Sequence, residues 1–276
     1  MSAHTNQTNS TQGAATPDKS YTPAPERQEA QKFVEIRIKR RDRPDAPQRW
    51  EEFRVPYRPN LNIISCLMDI QKNPVTKDGT RTTPVVWDMN CLEQVCGICT
   101  MIINGKVRQS CSALVDQLEQ PITLEPMTKF PNVRDLSVDR SRMFEHLKQV
   151  KAWIEIDGTH DLGAGPKMTQ DEVAERYAYS RCMTCGCCLE ACPQYDEDQY
   201  IGPQAIAQVR YQNMHPSGRM TRDERLEGIM GDDGITNCGN AQNCVRVCPM
   251  SIPLTKAIYE ENRETILHGL FGWLKR

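Results

Sequence analysis

Thiols dominate the chemistry open to this sequence. Of its 276 residues 13 are Cys, and most of them fall into three spaced groups. Cys91, Cys96, Cys99 and Cys111 read C-x4-C-x2-C-x11-C. Cys182, Cys185, Cys188 and Cys192 read C-x2-C-x2-C-x3-C and are followed by Pro193. Cys238, Cys244 and Cys248, followed by Pro249, read C-x5-C-x3-C. Thiolates at such spacings wrap polynuclear iron–sulfur clusters, which carry single electrons. The alternative for the first group is a four-thiolate zinc site, which usually shows a short C-x2-C pair twice. An odd number of cysteines cannot all pair within one chain. Residues 1–31 also contain no apolar run of a secretory signal, so a reducing compartment is expected.

The spacing of the first group is that of a plant-type [2Fe–2S] loop, whose fourth thiolate comes from farther along the chain. Gly97 sits inside this loop, where backbone without a Cβ can approach inorganic sulfur and donate N–H bonds. The second group has the bacterial ferredoxin spacing, in which the fourth cysteine of one run serves the other of two clusters. Exchange between the runs then assigns Cys182, Cys185, Cys188 and Cys248 to a [4Fe–4S] cluster. Cys192, Cys238 and Cys244 remain for the other. Ala241 stands where the last run would have its second cysteine, and alanine cannot bind iron. A three-iron [3Fe–4S] cluster is therefore expected there; a [4Fe–4S] cluster with a ligand from outside the run is the competing reading. Cys66 and Cys187 are spare. Cys66 falls near the apolar face of a helix, and Cys187 is expected to pack or touch its neighbours rather than ligate.

Something must hold these loops. After the polar segment 1–31, read as a disordered tail rather than a transit peptide, Phe33 to Ile38 alternate in strand fashion. Phe53–Val55, Thr83–Trp87, Thr100–Ile103 and Ile122–Leu124 are further predicted strands, with a hairpin turn at Asn104-Gly105. Leu61, Ile64, Leu67 and Met68 recur at helical spacing until Pro74. Strands around one helix make a small α+β domain over residues 32–134. From 135 to 276 the texture is helical. Asp139 caps a helix through Val150, a loop with Gly158, Gly163, Gly165 and Pro166 follows, and helical stretches lie near 174–192, 203–211, 221–230 and 253–268.

Composition excludes several other roles. Lys plus Arg number 34 against 36 Asp plus Glu, so no global charge draws the chain to nucleic acid or an anionic membrane. The basic run Arg37, Lys39, Arg40, Arg41 and Arg43 reads as a solvated face. No stretch of about 18 apolar residues could span a bilayer. Neither a dinucleotide fingerprint, a P-loop nor a G-x-S-x-G elbow is present. None of the five His lies inside a cysteine run. Only 38% of residues are hydrophobic, so clusters are expected to help tie the chain together.

The chain resembles the iron–sulfur subunits of succinate dehydrogenase and fumarate reductase. The resemblance rests on Tyr57-Arg58-Pro59-Asn60-Leu61-Asn62, Trp87-Asp88-Met89-Asn90-Cys91-Leu92-Glu93, Cys96-Gly97-Ile98-Cys99, Asp139-Arg140-Ser141-Arg142-Met143-Phe144 and both ferredoxin-type runs. It implies an N-terminal β-grasp plant-type [2Fe–2S] ferredoxin domain followed by an all-α bacterial-ferredoxin-like domain. It also implies no catalytic residue for succinate on this chain, a flavoprotein (FAD) partner, a membrane-anchor cytochrome b partner, and attachment at the cytoplasmic face of the cell membrane. Electrons would pass through the [2Fe–2S], [4Fe–4S] and [3Fe–4S] clusters in turn to quinone. One branch of the family carries Trp shortly after the position of Cys192 and His directly after that of Cys238. Here residues 194–200 read QYDEDQY and Gly239 follows Cys238, which resembles the menaquinone-linked kind. Succinate oxidation is the expected direction; the alternatives are a fumarate reductase subunit and a free-standing electron carrier. Pro193 is a candidate beside the quinone. The apolar end Ile266, Leu267, Leu270, Phe271, Trp273 and Leu274 is expected either to dock on a partner or membrane surface or to pack on its own domain.

Overall fold

From Phe33 to Arg40 side chains alternate between two environments, because successive residues of a strand point to opposite faces. Val34, Ile36, Ile38 and Arg40 are buried while their neighbours are partly or fully exposed, which makes this segment strand β1 (Phe33–Arg40). This computed structural model describes residues 32–154, 167–196 and 199–272. The tail 1–31, the Gly/Pro loop 158–166, and Trp273 and Leu274 lie outside the described residues.

β1 pairs antiparallel with β2 (Arg49–Pro56), placing Ile36 opposite Phe53 and Val34 opposite Val55. β3 (Thr100–Ile103) and β4 (Lys106–Gln109) form a hairpin whose turn residues Asn104 and Gly105 both have positive φ, as a two-residue hairpin turn requires. β5 (Ile122–Glu125) runs parallel to β1 and antiparallel to β3, giving the order β2-β1-β5-β3-β4. Helix α1 (Ile63–Lys72) starts at Asn62, whose side-chain oxygen accepts from Ser65 N at 2.8 Å. It buries Ile63, Cys66, Leu67 and Ile70 with the sheet. This mixed sheet with one helix is the β-grasp arrangement.

Two expectations fail. Thr83–Trp87 is extended but joins no strand ladder. Pro84 has no N–H to offer, the Val86 carbonyl accepts from Leu136 N at 3.1 Å, and side chains take other groups. Arg40 Nη2 donates to the carbonyls of Thr83 and Pro84, and Val86 N donates to Asp135 Oδ2 at 2.9 Å. The basic run is not simply a solvated face either. Arg37 and Lys39 do point outward over Trp50. Arg40 falls on the inner side of the alternation, fully buried, with its Nε 2.8 Å from the equally buried Asp135.

A short hairpin, β6 (Asn132–Arg134) and β7 (Ser137–Val138), leads into the helices. α2 (Ser141–Gln149) starts where Asp139 Oδ1 accepts from Ser141 N and Oγ. α3 (Gln170–Ser180) begins with a capping box between Thr169 and Glu172. The stretch expected to be helical over 174–192 divides into α3 and α4 (Cys187–Glu190), because Thr184 and Gly186 adopt positive φ between them. α5 (Pro203–Asn213) supplies Ala205, Ile206 and Val209 to the core, with α6 (Arg222–Gly228) beside it. α7 (Asn243–Val247), a single turn not expected from the sequence, carries Cys244 and ends at Cys248. α8 (Leu254–Phe271) buries Leu254, Ala257 and Glu261 but leaves Ile266, Leu267, Leu270 and Phe271 exposed.

Candidate metal centres

Cys91, Cys96 and Cys99 occupy a loop without regular structure between Asp88 and β3, and Cys111 sits in a single 3-10 turn directly after β4. Leu92, Gln94 and Gly97 all have positive φ, which curls the backbone so that successive N–H groups face inward, a geometry that favours anions. Glu93 N donates to Cys91 Sγ at 3.4 Å. The N–H groups of Glu93 and Val95, with the Cys96 thiol, draw the Cys91 thiol down to about 7. Cys99 and Cys111 are buried together against Ile64 and Trp87. Burial, with Cys99 beside it, pushes the Cys111 thiol up to about 11. Ser110 Oγ donates to the Cys99 carbonyl at 2.8 Å and Asn62 Nδ2 to the Cys111 carbonyl at 3.1 Å, so the residue that caps α1 also fixes the fourth thiol. Trp87 Nε1 is a buried donor without a partner among the described residues.

The second set converges from two distant runs. Cys182, Cys185, Cys188 and Cys248 line one small cavity, closed by Gly186, Gln204, Met250, Ile252 and Leu254. Burial, and then the sulfurs of Cys185, Cys182 and Cys248, push the Cys188 thiol well up. Ligation by metal is what makes a buried sulfur anion tenable in such surroundings. Ile252 N donates to Cys248 Sγ at 3.4 Å, a second amide–sulfur bond of the kind that steadies cluster ligands.

The third set is Cys192, Cys238 and Cys244. Burial, then the neighbouring Cys192 and Cys238, push the Cys244 thiol up to about 11. Tyr200, buried, points its hydroxyl toward these three sulfurs and finds no oxygen or nitrogen partner among the described residues. Lys129 Nζ donates to the carbonyls of Cys192 and Tyr195, and Glu190 accepts from Thr128 N, Thr128 Oγ1 and Lys129 N. That clamp ties the segment before β6 to the end of the first ferredoxin-type run. Ala241 lies on the exposed loop before α7, with no ligating atom to offer.

The two spare cysteines are placed as expected. Cys66 is buried in α1, where desolvation pushes its thiol up to about 12. Cys187 is buried with its Sγ 4.0 Å from Thr100 Oγ1 and beside Cys185.

The first two sets meet across the boundary between sheet and helices. A Cβ on Gly97, whose φ is +75°, would lie 2.8 Å from Cys185 Cα, Cys185 Cβ and the Met183 carbonyl. Arg140 Nη1 donates to the Gly97 carbonyl at 2.8 Å and to the Cys185 carbonyl at 3.4 Å, and Nη2 to the Ile98 carbonyl. Gln109 Nε2 lies 3.1 Å from Met183 Sδ. Sequence reasoning quoted Arg140 only within a motif and missed Trp87, Lys129, Glu190 and Tyr200 as neighbours of the thiols; no local spacing marks them. Among the described residues, no three His, Cys, Asp or Glu side chains converge on a point as a single ion requires. The thiols of the second set instead surround a space, which suits a polynuclear core.

These donor sets, with amide–sulfur bonds and unpartnered buried donors facing them, fit iron–sulfur clusters. Comparison with known proteins agrees. Residues 35–145 match a family model described as a 2Fe-2S iron-sulfur cluster binding domain, and residues 178–252 match a 4Fe-4S dicluster domain. The succinate dehydrogenase iron-sulfur subunit of Bacillus subtilis is 58% identical over 240 residues, 87% of this chain and 95% of that protein. The fumarate reductase iron-sulfur subunit of Wolinella succinogenes is 29% identical over 221 residues, 79% of this chain and 90% of that one. Among solved structures, a chain of the Mycobacterium smegmatis Sdh1 complex in the apo form has the same fold, with a TM-score of 0.72 at 21% identity. That match covers 86% of this chain and 96% of the other.

Proposed function

The chain belongs to the iron–sulfur subunits of succinate dehydrogenase and fumarate reductase, and from that premise we propose that it is the electron-transfer subunit of a succinate dehydrogenase. It works between a flavoprotein (FAD) subunit and a membrane quinone. The observation that carries the reading is the gathering of Cys182, Cys185, Cys188 and Cys248 around one cavity, with the Cys91–Cys99 loop against Cys185. When bound, the clusters supply one-electron carriers: [2Fe–2S] on Cys91, Cys96, Cys99 and Cys111, [4Fe–4S] on the four cavity thiols, and [3Fe–4S] on Cys192, Cys238 and Cys244. The protein's own groups do the rest. Gly97 lets the first two loops touch, and the amides of Glu93 and Ile252 hold sulfurs in place. Lys129 and Glu190 fix the Cys192 turn.

The division into domains at residues 134 and 135 belongs to the same reading, supported by the five-stranded sheet lying before that point and seven of the eight α-helices after it among the described residues. No described helix is long and apolar enough to cross a membrane. From its family we read the subunit as peripheral, held at the cytoplasmic face by a cytochrome b anchor. A cleft lined by Lys129, Phe130, Pro193 and Tyr195 beside Cys192 is the proposed approach to quinone. Menaquinone is favoured because no Trp follows Cys192 closely and Gly239, rather than His, follows Cys238 directly. Succinate oxidation is favoured over fumarate reduction by 58% against 29% identity to the respective relatives.

The test is purification from membranes. The chain should copurify with a flavoprotein and a haem protein, and the complex should reduce a menaquinone analogue with succinate but not a ubiquinone analogue. A stable brown monomer without partners refutes the assembly, and equal reduction of both analogues refutes the quinone assignment. Electron paramagnetic resonance (EPR) of the oxidised complex without a three-iron signal refutes the third cluster.

A further inference from the structure

Arg140 stands between the first two thiol groups with a charge that nothing above has used. One guanidinium donates to carbonyls on both sides: Gly97 and Ile98, which lie between Cys96 and Cys99, and Cys185 in the facing loop. Carbonyls are dipoles, not counter-ions. Among the described residues Arg140 makes no ion pair, and its Nε is buried without a partner. Burial pulls its pKa down; Asp88, and then the thiols of Cys185, Cys187 and Cys99, act in the opposite sense. Asp88 itself accepts a hydrogen bond from Ser137 Oγ at 2.9 Å. A desolvated cation without a contacting carboxylate is unfavourable unless other negative charge lies close by. A four-thiolate iron–sulfur cluster is an anion in both oxidation states and gains a further negative charge on reduction.

We infer that Arg140 is a positioning residue shared by the first two clusters: a fixed cation that joins their loops and raises both reduction potentials. The inference rests on the cluster assignments proposed above. Its sign follows from Coulomb's law, since a nearby cation stabilises the reduced, more negative form of each cluster. Its selectivity follows from placement. None of the Arg140 hydrogen bonds reaches Cys192, Cys238 or Cys244, so the third centre serves as an internal reference.

The test is EPR-monitored redox titration of the purified complex carrying Arg140→Gln, Arg140→Met or Arg140→Lys. In the two neutral variants the reduction equilibrium constants of the first two centres should each fall about tenfold, which is about 59 mV for a one-electron couple, while the three-iron centre stays put. Arg140→Lys, which retains charge with a different donor geometry, should recover most of the shift. Unmoved potentials at the first two centres, an equal shift at all three, or a Lys variant that behaves like Gln overturns the inference. If the neutral variants do not load their clusters, the Lys variant decides. Loading restored by Lys alone supports the charge; failure of all three shows that only the hydrogen-bonding geometry matters and overturns it. Wild-type protein without cluster signals would instead fail the underlying assignment.

Discussion

Replacing Gly97 by alanine tests the contact between the sheet and the helices most directly. Two costs add. An L-residue at φ +75° is strained by roughly 1–2 kcal/mol. The new methyl would also lie 2.8 Å from backbone and side-chain atoms of Cys185 and from the Met183 carbonyl, where ordinary contact begins near 3.4 Å. Forcing an extra carbon into such a packed place costs about 1–3 kcal/mol. Together they predict a loss of roughly 2–5 kcal/mol. The molecule contains its own control. Gly105, in the β3–β4 turn, has φ +72° but nothing within 4 Å of the position a Cβ would take. Gly105→Ala should therefore carry only the backbone cost of about 1–2 kcal/mol. At about 2–4 °C per kcal/mol, the visible absorbance of the clusters should be lost roughly 2–8 °C lower in Gly105→Ala and roughly 4–20 °C lower in Gly97→Ala, at one fixed scan rate. Equal shifts in the two variants would refute the steric argument, and with it the claim that the first two loops are in close contact.

Ala241→Cys should supply the missing thiolate and turn the third centre into a four-iron cluster; loss of the three-iron EPR signal from the oxidised protein checks this. Cys187→Ser should retain the iron content of all three centres at a cost of about 1–3 kcal/mol for a polar group in a buried site, whereas Cys248→Ser should lose the [4Fe–4S] signal. Glu261 is buried, and desolvation pushes its carboxyl from 4.5 up to about 7. The folded protein therefore holds this proton over a range where the unfolded chain releases it, so the stability it contributes is complete below pH 4.5 and declines as pH rises through about 7. Unfolding free energy from pH 5 to 8 should fall more steeply in wild type than in Glu261→Gln, by an amount on the order of 2–3 kcal/mol; parallel curves would refute the assignment.

What could be read in advance depended on whether the cause was local. The alternation in β1, the Asn104-Gly105 turn and the spacing of the ferredoxin-type runs are each set by neighbouring residues, and each is found where expected. Thr83–Trp87 was misleading because β-branched residues favour a strand only when a neighbouring ladder is available. Here Arg40 and Asp135, distant in sequence, take the backbone groups instead. Arg40 itself shows that the alternation of a strand can outweigh the polarity of a side chain when a buried carboxylate awaits it. Spacing pointed to Cys248 beside Cys182, Cys185 and Cys188, and these four do line one cavity; their shared ligation of a cluster is part of the proposed function. The surrounding groups were not. Lys129 meets Cys192 across 63 residues and Arg140 meets Gly97 across 43, and no one-dimensional pattern records such meetings.

The double fastening of the two halves has a kinetic consequence. Arg140 and the Gly97–Cys185 contact pin one end of the boundary, and Glu190 and Lys129 pin the other to the segment that joins them. A carrier whose domain swings between donor and acceptor must wait for diffusion to bring its centres together, and its turnover slows as the medium thickens. With the ligand sets proposed above, the spacing between centres is set when the chain folds. Internal transfer needs no conformational gate, and added glycerol or sucrose should slow only the encounters at the two ends of the wire.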